Sequence, residues 1–127
     1  MRRSVLVAVL AAAGLAPALA ASPPAAPPRA GSYDAELCVT LQRGAAPTCG
    51  AADVVVSGAH LSVRVADIVY RLALQRAKLD VETMHGQMQI DEFSAPYEWV
   101  GDTLRFGDEA KQVLYEVRLG AKKPVRR

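Results

Sequence analysis

The chain has 127 residues, 51% of them hydrophobic, with 15 lysines and arginines against 13 acids. That length holds one domain, and so even a balance leaves no basic footprint of the kind that neutralises nucleic-acid phosphates. Nucleic acid is therefore excluded as the expected partner.

Arg2 and Arg3 precede an apolar run from Val5 to Leu15, and Pro17 is followed by Ala18-Leu19-Ala20. A charged start, a short apolar stretch and an A-x-A site read as a signal peptide over residues 1–20. The run is shorter than the ~20 apolar residues a membrane helix needs, so no span is expected after cleavage. The mature protein is expected to be periplasmic or secreted. Residues 21–32 open with ASPPAAPPRAG, a Pro/Ala-rich linker with little to bury.

Tyr33 to Gln42 alternates, with Tyr33, Ala35, Leu37, Val39 and Leu41 on one face and Cys38 on the other. Arg43 to Gly50 reads as a loop. Cys38 and Cys49 are the only cysteines. In an oxidising compartment they are expected to form a disulfide, contributing on the order of 2–3 kcal/mol.

Between residues 53 and 119 short alternating runs follow one another. Gly58-Ala59 sets Val56 opposite Leu61, and Ala66-Asp67 sets Val65 opposite Ile68, although a bulge would suit that poor turn chemistry as well. A loop over Gln75–Lys78 sets Leu74 opposite Leu79. A turn at His85-Gly86 would pair Val81 with Ile90 and Thr83 with Met88, making Met88 a core residue and Met84 a surface one. Gly101-Asp102 is the strongest hairpin signal. It pairs Tyr97 with Phe106, Glu98 with Arg105, Trp99 with Leu104 and Val100 with Thr103. A loop over Gly107–Ala110 would then bring Leu104 opposite Val113. Residues 120–127 read as a basic disordered tail.

The expected fold is all-β: a small antiparallel up-and-down barrel of about eight short strands over residues 33–119, with an open β-sandwich as the alternative. No helix is indicated in the mature chain.

Three patterns invite chemistry. Met84, His85 and Met88 offer soft and borderline ligands suited to Cu(I), although a turn at His85-Gly86 points the two methionines apart. Tyr97, Trp99, Phe106 and Tyr115 form an aromatic group that reads first as core and second as a floor for a small hydrophobic ligand. Asp108 and Glu109 read as solvated turn residues able to meet a partner. There is no G-x-S-x-G and no free thiol beside a histidine, so no enzyme and no cofactor are expected.

Nine acids and only Arg105 and Lys111 lie between Leu79 and Glu116. An acidic surface suits a protein or cell-envelope component as partner. An exported, disulfide-bearing barrel of this size resembles the periplasmic lysozyme inhibitors as a class, and Gly107-Asp108-Glu109-Ala110 is reminiscent of them. Their inhibitory motifs are not present here in recognisable form, so the resemblance implies a binding protein and assigns no residue a role. Periplasmic copper binding and carriage of a small hydrophobic ligand are the alternatives. Oligomeric state is not legible.

Overall fold

The computed structural model describes residues 28–41 and 44–124; the signal-peptide segment and most of the linker lie outside the described residues. Eight antiparallel strands run in chain order: β1 (Gly31–Thr40), β2 (Thr48–Ser57), β3 (His60–Val65), β4 (Ile68–Leu74), β5 (Lys78–His85), β6 (Met88–Val100), β7 (Thr103–Asp108) and β8 (Val113–Lys122). β8 pairs back onto β1, closing the sheet into a barrel without free outer strands. The closed form, rather than the open sandwich, is the fold.

Alternation explains which side chains fill it. Val54, Val63, Leu72, Leu79, Val81, Leu104 and Val117 are fully buried and come from seven positions of one parity-consistent inner face. The paired positions Val54↔Val63, Leu72↔Val81 and Leu104↔Val117 place these residues opposite one another across neighbouring strands. The Gly101-Asp102 hairpin has the expected register, with Trp99 opposite Leu104 on the inner side. Outside, a charged belt crosses four strands. Arg105 Nη1 is 3.4 Å from Glu98, and Arg118 Nη1 is 3.3 Å from Glu36 across the β8–β1 closure. Arg105 Nε sits 3.0 Å from Glu116 but without hydrogen-bond alignment, so that pair is a Coulombic contact.

Several expectations are corrected. The β5–β6 turn is Gly86-Gln87, not His85-Gly86, so His85 faces Met88 and Val81 faces Phe93 rather than Ile90. A bulge at Ile90 then restores the inner parity, and Glu92 falls outside, where Gln89 Nε2 donates to it at 3.2 Å. The methionine exposures are the reverse of the expectation: Met88, opposite His85 at the rim, is 65% exposed, while Met84, on the outer face of β5 in either register, is 9% exposed. The four-residue β7–β8 loop lies two positions later than expected, over Glu109–Gln112, so Val113 faces Asp108 and Leu104 faces Val117.

The first hairpin also differs. Thr48–Gly50 belong to β2 instead of a loop, and Cys38 stands directly opposite Cys49 with Cα atoms 4.0 Å apart, joined in a disulfide. The outward Cys38 is buried by that partner. At the C-terminus the tail is ordered strand as far as Lys122, because Leu119 and Lys122 pair with Ala35 and Tyr33 of β1 on either side of a register shift. Lys123 then ties down the end, with Nζ 2.8 Å from Asp53 and 3.5 Å from Asp34.

The Ala66-Asp67 link is a tight turn, and Ala66 carries φ +54°, the conformation that Gly58, Gly86 and Gly101 adopt in the other two-residue turns. An alanine there costs about 1 kcal/mol relative to glycine. Ala66→Gly is expected to raise unfolding stability by about that amount in denaturant titration. Leu79→Ala, at a position with no exposure, is expected to lower it by about 2–5 kcal/mol. Reducing the Cys38–Cys49 bridge is expected to cost about 2–3 kcal/mol in the same assay.

Candidate functional site

In an up-and-down barrel alternate connections share an end. The β1–β2, β3–β4, β5–β6 and β7–β8 connections lie at one end, here called the upper end; the remaining three lie at the lower end. This parity decides where each candidate residue sits.

Tyr97, Trp99, Phe106, Asp108 and Glu109 do not form one site. Trp99 pairs with Leu104 near the lower end, four positions along β7 from Asp108, or roughly 13 Å at the rise of an extended strand. Phe106 is buried, and Tyr97 is half-buried with its hydroxyl donating to the Gln75 carbonyl at 2.6 Å. Asp108 is only 5% exposed, and its carboxylate accepts from the Lys111 backbone N–H at 3.3 Å. Glu109 is exposed in the β7–β8 turn.

The upper half of the interior is aromatic. Phe106 stacks on Tyr115 with centroids 5.0 Å apart, Phe93 stacks on Tyr115 at 5.9 Å, and Tyr70 meets Tyr115 edge-on at 5.9 Å. Tyr70 and Tyr115 stand on β4 and β8, opposite walls of an eight-stranded ring, so their contact spans the barrel and floors its upper mouth. Sequence reasoning took in Phe106 and Tyr115 but missed Tyr70 and Phe93, which lie on distant strands. Strand parity carries the signal, since all four fall on the inner face near upper-end turns.

Carboxylates border this floor. Asp91 takes a hydrogen bond from Lys111 Nζ at 2.8 Å, which holds its carboxyl below the usual range. Burial pushes the Tyr115 phenol up to about 12, with Tyr70, Asp108 and Asp91 adding to the shift. Burial also raises Tyr70.

Two adjoining outer grooves meet at Gly107 and Leu114. One, of about 570 Å³, is lined by Thr40, Gly44, Asp108, Glu109 and Gln112 and opens at the upper end. The other, about 330 Å³, passes Pro96, Tyr97, Arg105 and Phe106.

The proposed copper ligands are dispersed. His85 and Met88 face one another in the hairpin, but Met84 pairs with Val69 and Gln89, one position beyond the inward Thr83 and therefore on the other side of the sheet. Glu36, Cys38 and Cys49 bring ligand atoms within 4.8 Å of one another, but both sulfurs are bonded in the disulfide and offer no thiolate.

A phenol raised in the folded state above its ordinary value of 10.0 binds more protons than the unfolded chain between that pH and about 12. The Tyr115 contribution to stability should therefore be flat below pH 10 and fall as pH climbs toward 12. Denaturant titrations across that window should show the decline, and Tyr115→Phe should flatten it. No protein-family model matches this chain, and no curated protein matches it either.

Proposed function

We propose that this chain is an exported binding module that engages a protein or cell-envelope component through its outer surface, with lysozyme inhibition as the concrete version. The observation that supports a surface role is the filled interior. Seven fully buried aliphatic side chains occupy the middle of the barrel, and a cluster of four aromatic rings occupies its upper half. A carrier for a small hydrophobic ligand would need that space, and small-ligand sites run to several hundred Å³. Recognition by this barrel therefore belongs to its ends, turns and outer grooves.

Export accords with the Cys38–Cys49 bridge, since such bonds persist in oxidising compartments. Acids concentrated on β5 to β8 suit a basic partner, and complementary charge raises encounter rates and suppresses wrong pairings. Lysozymes are basic enzymes of the envelope's surroundings, which makes them a natural first partner to try.

The mature protein is expected to form a complex with hen egg-white lysozyme in calorimetry and to reduce its muramidase activity as the ratio approaches equimolar. Salt should weaken the complex, as it screens exposed charges. Absence of both heat and inhibition at tens of micromolar would remove the lysozyme version.

A further inference from the structure

Exposed large apolar side chains gather at one end of this barrel. Among the described residues there are five: Leu41, Val55, Met88, Ile90 and Val100. Leu41, Met88 and Ile90 are at the upper end, 65%, 65% and 51% exposed. Leu41 continues the inward parity of β1 just past the rim. Ile90 belongs to the bulge opposite Thr83, an inward position, so it is carried on the mouth side of the sheet. Below them lie the half-buried rings of Tyr70, Phe93 and Tyr115. A monomer gains nothing by leaving such groups in water, and rimmed apolar patches of this kind mark interaction surfaces.

Backbone conformation singles out the same end. Among the described residues, the two non-glycines with positive φ, Ala66 at +54° and Gln112 at +57°, sit in the β3–β4 and β7–β8 turns. Both turns are upper-end turns. Neither residue gains locally from that conformation, and such outliers persist where a loop's shape is needed.

Charge then defines the partner. The described charged groups around the mouth are Asp67, Asp91, Asp108, Glu109 and Lys111, four acids against one ammonium. That ammonium is drawn onto Asp91, and Asp91 and Asp108 together raise its pKa. The lower end is mixed: Arg76, Lys78, Lys122 and Lys123 stand beside Asp34, Asp53, Asp80 and Asp102, with Lys123 paired to Asp53 and Asp34 and Lys78 to Asp80. The upper mouth thus joins an excess of acid to exposed apolar side chains, whereas the lower end is balanced.

We propose that the upper end is a docking surface for a protein that presents a loop bearing apolar side chains together with a lysine or arginine. The apolar residues would cover Leu41, Met88 and Ile90, and the cation would enter between Asp91 and Asp108 above the aromatic floor, displacing Lys111. This rests on the reading of the chain as a protein-binding module and assigns that activity to one end of it.

The test is a ¹⁵N–¹H correlation spectrum of the mature protein titrated with hen egg-white lysozyme, and separately with N-acetyl-arginine methylamide. Lysozyme is expected to shift amides at Leu41, Ile90, Asp91 and Asp108–Lys111. Ile90→Asp and Met88→Asp, both at exposed sites, should each weaken the complex at least about tenfold, as for central apolar contacts in other interfaces. Val100→Asp at the lower end should change it less than about twofold, as expected for a position outside an interface. If lysozyme binds but shifts cluster around Trp99 and Val100, or both upper-end variants bind like wild type, the docking surface is wrong while the binding function stands. If lysozyme does not bind, that version of the function falls and the arginine probe decides. Shifts confined to the upper end that vanish in Asp91→Asn/Asp108→Asn sustain the surface. Equal or greater shifts at Asp53 and Asp80, or none at the mouth, overturn it.

Discussion

The constraint on which everything else depends is that in-and-out alternation must survive a complete circuit of eight strands. β8 has to meet β1 with Leu37 opposite Val117 and both pointing inward, after every intervening turn has kept parity. A one-residue slip anywhere would turn a strand's apolar set toward water. Two irregularities absorb the misfit: the bulge between Thr83 and Met84 in the β5–β6 ladder, and the shift between Tyr33 and Ala35 in the β1–β8 ladder. The second lies at the seam, where Arg118–Glu36 and Lys123–Asp53 add exposed ion pairs of modest individual worth.

Much of this circuit was legible from residues alone, because tight turns fix register locally. Gly58 and Gly101 each stand first in their two-residue turn with positive φ, and the hairpins around them have the registers their sequences imply. Gly86 also stands first, so Gly86-Gln87 follows the same pattern, whereas placing it second shifts β6 and sets Met88 opposite Thr83 instead of His85. The bulge at Ile90 has no sequence signature comparable to a glycine, so the outward placement of Glu92 is not legible from the residues alone. The position of the four-residue β7–β8 turn was equally hard to see. Gln112, not a glycine, takes the left-handed conformation there.

Sites were harder to read than strands. Proximity in sequence grouped Tyr97, Trp99, Phe106, Asp108 and Glu109, yet β7 carries Trp99's partner Leu104 and the buried Asp108 toward opposite ends. Residues from four different strands make the aromatic floor instead. What joins them is strand direction, a property of the whole meander rather than of any motif. The same logic relates the ends to binding: with the middle of the barrel filled, affinity has to come from groups that strand direction delivers to one rim.

Amide hydrogen exchange along β1 and β8 tests the closed circuit most directly. Closure predicts that β1 amides bonded to β8, and β8 amides bonded to β1, exchange as slowly as those of β4, which is flanked on both sides in any arrangement. Rapid exchange at alternate residues along both strands, with β4 still protected, would mean that the sheet is open and that its two ends are not the surfaces described here.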